Sequence, residues 1–301
     1  MRLKVVHKTT YEYNEPVSQS VNQLCLTPRS TDQQVCSSSV MQIDPDPATI
    51  KSTLDIYGNS VSRFGLDQSH KSCTIIVTSI VDTADTVAPL PDSPPVTAIK
   101  SLLSTDLSNA GLMAHDCMLP SAYVPWLPDI QDLLAQLPST DAPVLEFANA
   151  LMSYIYTEFE YDPGFSTLVT PVTDIIAAKK GVCQDFAQLS IALLRRCGIP
   201  ARYVSGYLET LPPPGQQKLQ GSDATHAWFS VYVPNQGWFD FDPTNNKRPD
   251  AQYVTTAWGR DYADVAPLRG VVFGGGQTNL KVAVDVNRVE NEAGANTGAG
   301  S

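Results

Sequence analysis

Residues 181–208, GVCQDFAQLSIALLRRCGIPARYVSGYL, constrain the fold more than any other stretch of the chain. Read with a helical period, Val182, Phe186, Leu189, Leu193 and Cys197 form one apolar row, and Ala187, Ile191 and Leu194 form another. Only Gln184, Asp185, Gln188, Arg195 and Arg196 interrupt them, so the spacing predicts a helix buried over most of its surface. Gly181 is a candidate N-cap, which puts Gln184 at the third helical position, where a side chain can reach back. Gly198 suits the residue after a helix, Pro200 prevents continuation, and Ala201–Leu208 reads as a strand. Cys183 therefore falls in the first turn of a buried helix.

A thiol attacks a carbonyl usefully only as thiolate. Its ordinary pKa of about 8.5 falls to roughly 3.5–7.5 at helix N-termini or beside an imidazolium. The helix dipole favours negative charge at Cys183, while Asp185 opposes it from the same turn. A histidine is needed to settle that balance. Of the four histidines, His226 is the one in the same region as Cys183 and in a strand. On Thr225–Val233, His226, Trp228, Ser230 and Tyr232 share a face, with Ala227, Phe229 and Val231 on the other. On the next strand Trp238, Asp240 and Asp242 share a face. A loop over Val233–Asn235 would set His226 opposite Asp242, and moving the loop by one residue would set it opposite Asp240. Spacing leaves both open. Asp242 stands at a strand end before Pro243, where a carboxylate reaches an imidazole without breaking the ladder.

Each residue alone has a bland reading: Cys183 as an inert buried thiol, His226 as a satisfied strand histidine, Asp242 as an Asp-Pro turn former. Their order along the chain favours chemistry. Cys183 attacks an amide carbonyl; His226 deprotonates the thiol and later protonates the leaving amine. Asp242 orients His226, and the Cys183 N–H is the natural oxyanion donor. Tyr161, Trp228 and Trp238 are candidate substrate-binding walls of the cleft.

The chain, at 301 residues, has room for two domains. Residues 1–85 read as short strands separated by turns, predicting an N-terminal β-sandwich-like domain or an open barrel. Residues 86–128 read as a linker and helical connection, opened by the proline-rich stretch DTADTVAPLPDSPPV. Residues 129–289 form the expected catalytic domain. It includes an amphipathic helix within 142–160, a short helix opened by Thr170-Pro171, and a final strand at Asn279–Val286. The polar loop 210–223 is a candidate lid or a plain surface loop, and 290–301 reads as a disordered tail. His7 and His70 are lone histidines in strand or surface positions, and His115 near Cys117 lacks an orienting acid. A net charge of −11 argues against nucleic acid or an anionic membrane surface as partner. No apolar run is long enough to span a membrane, and the N-terminus lacks the apolar core of a signal peptide, so the cytoplasm is the expected compartment. Six cysteines without CxxC pairing read as reduced thiols, with no metal and no cofactor expected. The expected partner is a peptide or protein amide substrate; the oligomeric state is left open.

The stretches GVCQDFAQL (181–189), ARYVSGYL (201–208), DATHAW (223–228), GWFDFDPTNN (237–246) and WGRDYADVAPLRGVVFGGG (258–276) resemble the bacterial transglutaminase-like superfamily. These are relatives of papain-like cysteine peptidases that carry a separate N-terminal β domain. The resemblance implies an α+β papain-like core, with the cysteine helix packed on an antiparallel sheet. It also implies a Cys183–His226–Asp242 triad, favouring Asp242 over Asp240. Members are described as cysteine peptidases or amide hydrolases, and some relatives join glutamine to amines. An amide hydrolase and an amine-accepting glutamyltransferase or isopeptide ligase are thus both consistent with the residues. A non-catalytic binding or scaffold module is the third reading, against which the intact triad argues. Two positions depart from the pattern: Gln188, and Thr278-Asn279, where the family often carries histidine.

Overall fold

The computed structural model describes residues 1–127, 130–211, 221, 223 and 225–289. In chain order the first strands are β1 (Arg2–Leu24), β2 (Gln34–Asp44), β3 (Ile50–Leu54), β4 (Ser60–Leu66) and β5 (His70–Thr83). Helices α1 (Val96–Ser104), α2 (Asn109–Asp116), α3 (Gln131–Leu134) and α4 (Val144–Glu158) follow. Next come β6 (Glu160–Tyr161), α5 (Val172–Ala178), β7 (Lys180–Gly181), α6 (Cys183–Arg196), β8 (Ala201–Leu208), β9 (Thr225–Val233), β10 (Gly237–Phe241) and β11 (Tyr253–Gly259). The last elements are α7 (Tyr262–Val265), β12 (Leu268–Gly274) and β13 (Thr278–Arg288).

β1 organises a seven-stranded sheet. Its first half lies between β5 and β13, and its second half between β4 and β12. β2 extends the sheet beyond β5, and β3 extends it beyond β4. Pairing with β5 shifts register between Glu12 and Val17, dividing the strand into two halves. Leu24, Phe64 and Leu66 from one half meet Cys73, Ile75 and Val77 from the other in a buried apolar core.

Residues up to 289 were expected in the catalytic unit. Instead β12 and β13 complete the sheet around β1. The first sheet also shares a core with the second unit: Leu3, Val5 and Val81 pack with Tyr207, Val254, Val284 and Val286. His7, expected as a lone strand or surface histidine, is buried here, its Nδ1 hydrogen-bonded to the Tyr207 hydroxyl at 3.0 Å. Burial pushes its pKa down to about 4.

The second sheet has four strands in the order β10-β9-β8-β11. Ala201, Tyr203, Ala227, Phe229 and Val231 share a core with Phe186, Leu189 and Leu193 of α6, and with Phe147 and Leu151 of α4. Arg29, Gln34 and Asn59 of the first sheet region engage β11. The Gln34 amide donates to the Thr255 carbonyl and accepts its N–H, both at 2.8 Å. Asn59 does the same for Trp258, at 2.8 and 3.0 Å. With partners on both sides, β8 and β9 are buried at nearly every residue.

Arg195, read from the sequence as a polar interruption of α6, is itself buried. It donates to the carbonyls of Ala201 at 3.0 Å and Leu119 at 2.9 Å, tying the helix to the strand that follows it. Gly206 in β8 allows close approach of β11, since a Cβ there would sit 2.1 Å from the Val254 carbonyl. Most of the candidate lid, 212–220 and 222, lies outside the described residues, as do 290–301. All six cysteines are unpaired. Among the described residues no helix is long and apolar enough to cross a membrane.

Candidate active site

The N-terminus of α6 is built one residue later than its sequence suggests. Val182 is the N-cap and Cys183 the first helical residue; the first intrahelical bond runs from Phe186 N–H to the Val182 carbonyl at 3.0 Å. The N–H groups of Cys183, Gln184 and Asp185 are therefore the orphans of the first turn. Asp185, not Gln184, occupies the third position. Its Oδ2 accepts the Val182 N–H at 2.8 Å and the Ser166 hydroxyl. Gly181 permits this closure, because a Cβ there would lie 2.9 Å from that of Asp185. Burial pushes the Asp185 carboxyl up, and the two donors offset part of the rise. Cys183 itself is half-buried.

His226 of β9 and Asp242, just after β10, meet beside this helix start. The register sets Gly237 against Val233 and Asp240 against Ser230. Neither expected register occurs: the loop is Pro234–Gln236, with Asn235 at φ 65° and Gly237 at φ 95°. Asp242, just beyond β10, reaches His226 diagonally, with Nε2 to Oδ2 at 2.7 Å. Asp240 instead accepts the Trp228 indole N–H at 3.2 Å. Asp242 is fully buried. Its Oδ1 accepts the N–H of Thr244 at 2.8 Å and of Asn245 at 3.3 Å. Its Oδ2 also accepts the Asn245 amide at 2.7 Å and the Tyr253 hydroxyl at 2.6 Å. The Cys183 side chain lies close enough to His226 to favour its charged form. Because Asp242 occupies Nε2, Nδ1 is left for the thiol.

The charges follow from these contacts. Burial opposes an imidazolium at His226, but the hydrogen bond to Asp242 and the neighbouring Cys183 outweigh it and raise the pKa to about 10. Burial likewise pushes Asp242 up, and the donors around it, His226 foremost, hold it below the ordinary carboxylate value. The Tyr253 hydroxyl is driven well above its usual value by burial and by Asp242, so it stays protonated and donates to the carboxylate. The arrangement can hold a thiolate against an imidazolium, next to orphan backbone donors.

The proposed walls fare differently. Tyr161 pairs with Gly181 through the short β6–β7 ladder, is 52% exposed, and feels the charges of Cys183 and Asp185, so it borders the thiol. Trp228 is 0% exposed and packs edge-on against Tyr253, with ring centres 5.3 Å apart. It backs His226 and forms no cleft wall. Trp238 pairs with Tyr232, six positions along β9 from His226 and so roughly 20 Å away along the strand. It lines a different cavity. Gln188 is buried with its amide nitrogen unpartnered, and Asn279 bonds Glu12 at 3.0 Å within the first sheet. Sequence reading missed Tyr253, Asn245 and Ser166. Asn245 lies in the turn directly after Asp-Pro and was within reach of a local argument. Tyr253 comes from a strand across the sheet and leaves no local signal.

A helix-borne cysteine beside a histidine that a buried carboxylate holds on an antiparallel sheet fits the transglutaminase-like class of thiol-dependent enzymes. The comparisons agree. Residues 3–82 match the bacterial transglutaminase-like N-terminal region, and residues 131–243 match the transglutaminase-like superfamily. An uncharacterised Mycobacterium tuberculosis protein is 37% identical over 311 residues, spanning 97% of this chain and 94% of the relative. A protein-glutamine gamma-glutamyltransferase of Pseudomonas aeruginosa is 33% identical over 109 residues, 34% of this chain and 16% of that protein. The crystal structure of a candidate cysteine protease from Cytophaga hutchinsonii superposes with a TM-score of 0.73 at 25% identity, covering 97% of this chain and 92% of that one. The chain belongs to the transglutaminase-like superfamily.

Proposed function

We propose that this protein hydrolyses amide bonds of peptide or protein substrates through a thioester on Cys183. The single observation that carries this reading is the buried Asp242–His226 hydrogen bond placed beside Cys183 at the start of a buried helix. In this reading the His226 imidazolium pairs with the Cys183 thiolate, which adds to the amide carbonyl. The N–H of Cys183, an orphan of the first turn, stabilises the developing oxyanion. His226 passes its proton to the leaving amine and then draws one from the attacking water. Asp242 keeps the imidazole oriented and its charge favourable. Tyr161 stands beside the thiol as a substrate contact. A reducing compartment such as the cytoplasm suits the six unpaired thiols.

Iodoacetamide labelling at pH 6.5, followed site by site by mass spectrometry, tests the activated thiol. Cys183 is expected to react well ahead of the other five cysteines; equal rates would sink the reading. A peptide library cleaved by the wild type and left intact by Cys183→Ala tests hydrolysis itself.

A second reading, amine acceptance, draws support from the similarity to the glutamyltransferase of Pseudomonas aeruginosa. Water and amine would compete for one thioester. Partition of the acyl-enzyme between water and a labelled alkylamine decides between them.

A further inference from the structure

A cavity of about 270 Å³ lies where α2, the first sheet region and the second sheet converge, lined by Arg29, Tyr57, Met113, Arg202, Trp238 and Trp258 among others. Its walls are almost wholly apolar apart from two cations. The Arg202 guanidinium is stacked between two indoles, 4.2 Å from the centre of Trp238 and 3.8 Å from that of Trp258. Arg29 stacks on Trp258 as well, at 3.6 Å. Stacking occupies the faces of a guanidinium and leaves its in-plane N–H edge unused.

Arg29 uses part of its edge on the Asn59 side-chain oxygen Oδ1 at 2.6 Å. Arg202 spends none: it donates no hydrogen bond to any described residue, and its Nε is buried without a partner although the residue is only 8% exposed. The acids nearby are otherwise engaged. Asp240 attracts Arg202 without forming an ion pair among the described residues, and its Oδ2 accepts the Trp228 N–H. Asp116 accepts the Tyr57 hydroxyl at 2.7 Å and faces Arg260 at 3.7 Å. A desolvated cation without a hydrogen-bonded anion is costly to hold. Here the fold supplies the cation, the aromatic walls and the space, and omits the anion.

We propose that this cavity is a binding site for a small carboxylate with an apolar body. The carboxylate sits on the free N–H edge of Arg202, with Arg29 adding a second positive charge. The apolar body lies against Met113, Trp238 and Trp258. The volume, at the small end for ligand sites, suits a single ring or a branched chain and excludes a folded partner. The site uses none of the groups around Cys183, so it stands or falls separately from the proposed catalysis.

The test uses the full chain with phenylacetate as probe, phenylacetamide as its neutral counterpart and inorganic phosphate as an anion without an apolar body. Phenylacetate at about 10 mM is expected to raise Tm by about 2–4 °C and to quench tryptophan fluorescence, while the other two do neither. Arg202→Gln should abolish the response. Ala110, on α2, is an exposed lining residue outside the arginine–indole stack; Ala110→Phe, which fills the cavity from there, should abolish the response too, and Cys183→Ala should retain it. The proposal is overturned by no response in the wild type, by an equal response to acid and amide or to phosphate, by a response that survives Ala110→Phe, or by one lost in Cys183→Ala.

Discussion

Replacing Asp242 by Asn isolates the electrostatic part of the proposed site. In the native structure both carboxylate oxygens accept and neither donates: Oδ1 takes two backbone N–H groups, and Oδ2 takes His226, Asn245 and Tyr253. An amide must turn its NH₂ towards one of these sets. Facing the backbone, it strands donors in a fully buried spot, at a cost of about 1–3 kcal/mol. Facing His226, it can be accepted only by an unprotonated Nε2, which places the proton on Nδ1, where it cannot take one from Cys183. The charge-assisted bond lost is worth about 1.5–3 kcal/mol, or about one to two pK units off His226. The imidazolium–thiolate pair should shrink by the same factor. Iodoacetamide labelling of Cys183 at pH 6.5 should slow about 10- to 100-fold, and turnover should fall further, towards the roughly 10⁴-fold seen when a triad aspartate becomes asparagine. Asp240→Asn, which touches Trp228 instead, should leave labelling unchanged. An Asp242→Asn protein that folds and labels at the wild-type rate would refute the assignment of Asp242.

Gly206→Ala drives a methyl group into the Val254 carbonyl, 2.1 Å from its ideal position, and towards Trp228 at 2.7 Å; urea unfolding should show a loss above about 3 kcal/mol, and a loss under about 1 kcal/mol would contradict the β8–β11 packing. Asp185→Asn keeps an oxygen for the Val182 N–H but removes a charge from the nucleophile's turn, so Cys183 labelling at pH 6.5 should quicken; slower labelling in a folded variant would reverse the sign assigned to Asp185. The raised pKa of His226 makes its stabilisation full below its unfolded value of about 6.5 and progressively lost as pH climbs towards about 10. Asp242, held low, contributes above about 3.9 and loses that contribution as pH falls. The difference in urea stability between wild type and His226→Gln should therefore peak between about pH 4 and 6.5 and shrink towards pH 10; a difference that widens with pH would be wrong for this pair. Gln34→Ala strands the N–H of Thr255, two residues beyond Tyr253, and leaves its carbonyl only the Arg29 N–H, so it should lower both Tm and the Cys183 labelling rate; a fall in Tm alone would separate the first sheet from the site.

What was legible in the sequence is what short-range periodicity encodes. The rows of α6 are set by neighbours within a turn or two, and so are the Gly198 and Pro200 stops and the faces of β9. The cap moved by one residue because Asp185 reaches Val182 only when Gly181 leaves room, a three-dimensional condition. Register was beyond reach for a similar reason: the positive φ at Asn235 and Gly237 shifts the hairpin, and His226 then reaches Asp242 on the diagonal. Trp228 and Trp238 show the limit most plainly. An aromatic residue on a strand is equally suited to a core or a cleft, and burial from the far side of the sheet makes Trp228 core. That cover comes from Val204 and Tyr253, with Leu208 and Trp258 packed against them, on β8 and β11. Nothing local to 225–242 records it.

The bonds that hold β11 also change what the first sheet is for. A β domain joined by a proline-rich stretch could be a detachable module. Here β1 is paired by strands from both ends of the chain, and Gln34 and Asn59 bond the backbone of β11 at Thr255 and Trp258. β11 begins at Tyr253, whose hydroxyl holds the carboxylate that holds His226. Support therefore runs from the first sheet through one strand to the buried acid and on to the imidazole. Asp242 could keep its charge in a dry site only if each of its donors were fixed in place, and one of those donors, Tyr253, stands on β11 at the edge of the second sheet. The first sheet supplies that fixity, which is why it cannot be treated as an appendage to the α6 core.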